Sequence, residues 1–246
     1  MKTNLALIIC LLLFFFGNVN AQDELKDGAA KTTKRDTKIF DLLSLDHKPE
    51  RVKVVPNYVD HTLKIKSLKD SVVIGDFWGV LPDVKLLGKS FIGISYVVRG
   101  GSNLGLGNVL IICMKEGKLY EAMHALRYVD WDTGDRKANY TVKWVLQGNS
   151  ERDYKLIIDV HDEVYSKTRP DENYTYDDRT ILNFDTKTHS FYSIKTAKFN
   201  YSIKTKAGKQ KVGGTFPSIL LGKEAYYLLN QKWYQIAPGS EFQEFR

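Results

Sequence analysis

Apolar and polar positions alternate with a period of two along most of this chain. In "NYTVKWVLQ", Tyr140, Val142, Trp144 and Leu146 fall on one face while Thr141, Lys143 and Gln147 fall on the other, the pattern of a half-buried strand. "TLKIKS", "KLYEAMHAL", "DYKLIIDVHDEVY", "TILNFD", "HSFYSIKTAKFNYSIKTK", "AYYLLN" and "KWYQIA" are likewise rich in β-branched and aromatic residues. Turn clusters such as "KEGK", "QGNSER", "DTKTH" and "KAGK" separate them. Connections this short suit antiparallel hairpins and exclude the long crossovers of parallel strands. "SFIGISYVVR" and "NVLIICMK" are apolar on both faces and predict a strand pair at the centre of a sheet with cover on each side. The expected fold is therefore all-β: an antiparallel meander of roughly ten to twelve strands in one domain over residues 39–246, forming a sandwich or barrel-like body. "TKIFDLLSLD" predicts one short helix through Ile39, Leu42 and Leu43 ahead of the first strand.

Two segments precede this pattern. Lys2 leads into an apolar run from Leu5 to Phe16, followed by small and polar residues ending at Val19, Asn20 and Ala21, which predicts a secretory signal peptide over residues 1–21 cut before Gln22. The run is shorter than the roughly 20 apolar residues of a membrane span, and no later segment rivals it, so no transmembrane segment is expected after cleavage. Residues 22–38 are polar, without apolar periodicity, and read as a flexible leader. Past the cut, Cys113 is the only thiol; a chain this long can bury a core without disulfides. The lone thiol and the "VNAQD" junction point to an exported protein of a Gram-negative bacterium, in the periplasm or at the cell surface.

The net charge is +7, and its distribution changes the picture more than its size. Acids crowd between Asp159 and Asp185, whereas Lys187, Lys195, Lys198, Lys204, Lys206, Lys209 and Lys211 follow with no acid among them. One expectation is that the acidic and basic stretches pair as neighbouring strands. The functional counterpart is a basic ribbon, with Lys195, Lys198, Lys204 and Lys206 beside Phe199 and Tyr201, that meets an anionic polymer or surface. Nucleic acid is the least suitable such partner for an exported chain.

The chemistry-bearing patterns are few. The glycine cluster from Gly100 to Gly107 fails as a phosphate loop, because Leu106 stands where a lysine is needed and a β-branched strand follows in place of a helix. It reads as a hairpin loop that tolerates positive φ, and Arg99, Asn103 and the irregularly placed Trp78 of "GDFWGVLPDV" are the candidate ligand loop residues. Asp159, His161 and Glu163 project on one strand face, a candidate divalent-metal or acid/base set opposite the apolar Ile158 and Val160. "DWDTGD" lacks the spacing of a calcium loop and reads as a turn. GxSxG is absent, Cys113 sits in an apolar strand, and His47, His61, His124 and His189 stand singly. No cofactor signature is present beyond that metal candidate. The expected role is thus a binding or interaction module whose partner is a glycan, an envelope component or another protein. The alternatives are a metal-dependent hydrolase built on Asp159, His161 and Glu163, and a barrel holding a small apolar ligand.

Overall fold

The computed structural model describes the backbone of residues 36–205, 208–235 and 241–244, and the side chains of those residues other than 199–213 and 241–244. The expected signal peptide and nearly all of the expected leader lie outside the described residues. Among the described residues the secondary structure is strand throughout, apart from one short 3-10 turn at Pro170–Glu172, and all pairings are antiparallel. No described helix is long and apolar enough to cross a membrane.

The strands follow one another as a meander in three sheets. The first has the order β1 (Lys38–Leu43), β2 (Pro49–Asn57), β3 (Thr62–Lys66) and β4 (Ser71–Ile74). The second runs from β5 (Asp83–Leu87) through β6 (Phe91–Val98), β7 (Leu104–Lys115), β8 (Lys118–Asp132), β9 (Arg136–Gln147), β10 (Lys155–Ser166) and β11 (Tyr174–Asp185) to β12 (Ser190–Tyr192). In the third, β13 (Ile194–Thr205) pairs with β14 (Gly208–Leu221), β14 with β15 (Glu224–Leu229) and β15 with β16 (Lys232–Gln235), while β17 (Glu241–Glu244) lies on the other side of β13. The second sheet stays open, since β5 and β12 end it and do not pair with each other. The all-β meander is thus as the alternation implies, but there is no closed barrel, and the idea of a barrel-held ligand loses its frame.

Two further expectations are corrected. "TKIFDLLSLD" forms β1 and not a helix: its burial alternates, with Ile39 and Asp41 exposed and Leu42 buried, and Lys38–Leu43 pairs along its length with β2. Asp36, within the stretch expected as leader, accepts the Tyr58 hydroxyl at 2.9 Å. The acidic and basic stretches do not pair with each other. Acids and their counter-charges share the β10–β11 hairpin, Asp159 facing Arg179 and His161 facing Asp177, while Lys195, Lys198, Lys204, Lys209 and Lys211 lie in β13 and β14 of the third sheet, Lys204 opposite Lys209.

One cluster of buried side chains contains residues of all three sheets, from Leu42 to Trp233. The double-sided apolar character of "FIGISYVV" and "NVLIICM" is real: β6 and β7 are almost entirely buried, although they lie toward the β5 end of their sheet and not at its centre. On the face carrying Phe91 and Cys113, the short strand β12 folds back. Phe191 lies 5.4 Å from Phe91 ring to ring, and the Cys113 thiol donates to the His189 carbonyl at 3.6 Å.

Strand β8 is the irregular member. It pairs with β7 over its length but with β9 only over Tyr128–Asp132. Along the stretch that β9 leaves, side chains of the third sheet satisfy the backbone. Trp233 Nε1 donates to the Glu121 carbonyl at 2.8 Å, and the Leu126 amide donates to Tyr226 Oη at 3.0 Å. Buried backbone groups left unpaired cost free energy, so these two contacts make the docking of β15 and β16 obligatory for β8.

The glycine cluster closes the β6–β7 hairpin, as expected, but its glycines serve a different purpose. The positive φ of the loop belongs to Asn103, at 63°, and Gly107 lies inside β7. A Cβ at Gly107 would stand 2.1 Å from Tyr128 Cε1, so the ring of Tyr128 packs directly on bare backbone. Replacing Gly107 by Ala should cost about 1–3 kcal/mol through forced displacement of that ring. Trp233→Phe, which removes the donor to the Glu121 carbonyl, should likewise cost about 1–3 kcal/mol. Urea unfolding followed by circular dichroism reads both; a variant as stable as the parent would show that the corresponding contact is dispensable.

Candidate functional site

Two of the three candidate ligand loop residues come together. The chain after β4 enters irregular structure, and Phe77 is pinned there by a bridge to Val98 and full burial, its ring 5.6 Å from that of Tyr58. The next residue, Trp78, donates its amide to the Val97 carbonyl at 2.8 Å and keeps its side chain 38% exposed. The His61 ring stacks on the indole at 4.4 Å, nearly parallel at 20°, and the guanidinium carbon of Arg99 lies 5.0 Å from the indole centroid. His61 is delivered by the β2–β3 turn, in which Asn57 Oδ1 accepts the amides of Val59 and Asp60, a side-chain-closed turn that leaves His61 at φ 51°. Arg99 has no carboxylate partner among the described residues, and Val59, Val80 and Leu81 add exposed aliphatic surface in the same two loops.

The indole is thus an exposed ring in irregular chain, stacked on an imidazole, with a cation beside it. A guanidinium placed near an indole face is attracted by the ring and retains outward N–H donors for an anionic group. Asn103, the third candidate, stays exposed in its turn, where its carbonyl accepts the Asp132 amide at 3.2 Å.

The Asp159, His161 and Glu163 side chains do share one face of β10, but each is engaged there. Asp159 is held bidentately by Arg179, at 2.6 and 3.1 Å, and the guanidinium keeps its carboxyl below the ordinary value. His161 Nδ1 lies 2.8 Å from Asp177 and Nε2 lies 3.7 Å from Glu163, and chiefly the Asp177 carboxylate raises the imidazole above its ordinary value. Among the described residues no three His, Cys, Asp or Glu side chains gather as they would around a metal ion. Of the basic ribbon, Lys195 lies 5.9 Å over the Tyr192 ring, the side chain of Lys204 is not described, and Lys206 lies outside the described residues. Lys198 stands in β13 opposite Thr215 and Gln243.

One cluster escaped the linear pattern. His124 Nε2 lies 2.7 Å from Tyr96 Oη and its Nδ1 lies 3.5 Å from Glu121, while the Asn108 amide donates to the same hydroxyl at 3.4 Å. The four residues come from β6, β7 and β8, and only the register Tyr96↔Asn108 and Leu110↔His124 brings them together. Tyr96 is nearly inaccessible and burial raises its phenol strongly, which suits a structural polar network across neighbouring strands of the second sheet. Cys113 is fully buried and its thiol is raised by that burial, so it is not a nucleophile in this setting.

Comparison of the chain with known protein families, with curated proteins and with solved structures finds no match.

Two histidines have opposite linkage to pH. His161 is raised above 6.5 in the fold, so its pairing with Asp177 supports folding below that pH and is lost as pH rises through the folded value. His189 is lowered, first by burial, so the fold disfavours its protonation and loses stability as pH falls below 6.5. His161→Gln should therefore destabilise at pH 5 and have little effect at pH 8, whereas His189→Gln should flatten the acid limb of the stability profile. Thermal melts across that range check both signs.

Proposed function

We propose that the chain is an exported, non-catalytic binding module that engages a component of the cell envelope through the Trp78–Arg99 platform. The observation that carries this reading is an exposed indole whose backbone and ring are fixed on both the β2–β3 turn and the β6 end, beside a guanidinium without a carboxylate partner among the described residues. Such preorganisation lowers the ordering cost of binding, which is the usual reason exposed aromatic anchors dominate recognition sites. Export rests on the charged, apolar and small-residue order of the first 21 residues. A hydrolase centred on Asp159, His161 and Glu163 gains less support, because a metal there would have to displace Arg179 from Asp159 and compete with Asp177 for His161.

The test is co-sedimentation of the chain lacking residues 1–21 with purified peptidoglycan and with envelope membranes. Binding to one of these fractions is expected, and Trp78→Ala or Arg99→Ala should each weaken it about tenfold, in line with the ~1–2 kcal/mol of a desolvated cation–aromatic anchor. Retention of full affinity in both variants, or no binding to either fraction, would overturn the proposal.

A further inference from the structure

The outer face of the first sheet carries charge in an arrangement that folding alone does not favour. Lys53 of β2 stands directly opposite Lys66 of β3, and Lys64 lies in the adjoining row opposite Val55 and Val73. All three lysines are exposed, and none has an ion-pair partner among the described residues. Like charges directly opposite on neighbouring strands destabilise a sheet, so this register exacts a cost that an anionic partner would remove. In the next row Arg51 is neutralised by Asp41 at 2.9 Å, which sets the three lysines apart as the uncompensated group.

The same face is also apolar in an unusual way. Ile39, opposite Lys53, is 56% exposed, and Val73, opposite Lys64, is 54% exposed. Around Lys53, Lys64 and Lys66 the face thus carries the aliphatic Ile39, Val55 and Val73. Of its polar groups, Asp41 is taken by Arg51 and Asn57 by its own turn, which leaves Thr62 and Ser71 toward the ends of β3 and β4. Sugar polymers are recognised through hydrogen bonds and aromatic stacking, for which aliphatics on a flat sheet are of no use. A lipid surface makes use of both components: lysines meet anionic headgroups, and branched aliphatics enter the apolar boundary beneath them. The β2–β3 hairpin that bears this face ends in the turn that presents His61 to Trp78. At that tip Val59, Trp78, Val80 and Leu81 are exposed beside Arg99, the indole being a side chain suited to a membrane interface.

We infer that the first sheet and the Trp78 loop dock on an anionic lipid bilayer, with the lysine face setting affinity and the loop residues entering the headgroup layer. This rests on the binding-module reading and names its partner.

The experiment is sedimentation of the chain lacking residues 1–21 with vesicles of phosphatidylcholine alone or of phosphatidylcholine with phosphatidylglycerol. Binding is expected only to the phosphatidylglycerol vesicles and should weaken as salt is raised, because screening shortens the reach of surface charge. Lys53→Gln, Lys64→Gln and Lys66→Gln combined should lower affinity on the order of 100-fold, at roughly fivefold per lysine. Neutralising Lys143 and Lys155 on the second sheet and Lys187 in its β11–β12 turn changes net charge equally and should leave affinity within a few-fold, as electrostatic attraction falls off with distance from the docked face. Lys66→Glu would place an acid opposite Lys53; it should raise or preserve the melting temperature while lowering vesicle affinity roughly 25-fold, which separates loss of the patch from loss of the fold. Failure of the parent to bind phosphatidylglycerol vesicles, or an equal loss in the second-sheet variant, overturns the inference. If vesicles are ignored while peptidoglycan is still bound through Trp78, the lipid assignment falls and the binding module stands; if neither is bound, both fall.

Discussion

The backbone of β8 between Glu121 and Leu126 would be a bare strand edge in a buried place without two aromatic side chains. Trp233 reaches the Glu121 carbonyl and Tyr226 receives the Leu126 amide, so an indole and a phenol stand in for the strand that β9 ceases to provide. Everything else in the arrangement of sheets follows from that substitution. Because β9 pairs with β8 only near its end, β9 to β12 can turn away and return Phe191 and His189 over Phe91 and Cys113. The price of opening the sheet is met by the third one, which also packs Gly222 closely against Val160 and offers the Leu221 carbonyl as acceptor to the Tyr140 hydroxyl. A continuous eight-stranded sheet with ordinary pairing would have covered only one of the two apolar faces that β6 and β7 present.

The candidate site is built at the opposite extreme of burial. The core fixes Phe77, Phe77 fixes the chain at Trp78, and the indole is left outside, supported by His61 and approached by Arg99. Exposure of a large ring is costly in water unless a partner covers it, and so is the opposition of Lys53 and Lys66. Both liabilities fall on one hairpin, β2–β3, and its immediate contacts. By contrast, the charged face of β10 and β11 is internally neutralised, with Arg179 on Asp159 and His161 between Asp177 and Glu163. A face that satisfies its own charges has little left to offer a ligand, whereas Lys53, Lys64 and Lys66 of the first sheet have no ion-pair partner among the described residues.

Much of the architecture was legible in the chain because strand pairing between sequence neighbours is a local matter. Alternation located β9 and β10 and the inward set Tyr140, Val142, Leu156 and Ile158, all buried or nearly so. It failed at "TKIFDLLSLD", where spacing of Ile39, Leu42 and Leu43 fits a helical turn as well as a strand, and only pairing with β2 decides. It also failed for the charged stretches, since proximity in sequence does not say whether a strand pairs with the one before it or the one after. The Trp78 and Arg99 candidates were visible as an indole in irregular chain and a cation at a strand end. Their meeting, and the presence of His61, were not.

The sequence by itself determined the class of the fold and the inside and outside of its strands, since hydrophobic burial acts residue by residue with a period set by the backbone. It determined, too, that any function had to be sought without a catalytic motif. Tertiary structure alone decided that His124 meets Tyr96 and Glu121, that Lys53 opposes Lys66, and that β8 is completed by Trp233 and Tyr226. Each of these depends on register or on contact between sheets, where residues as far as 112 positions apart are joined by geometry that no local pattern encodes.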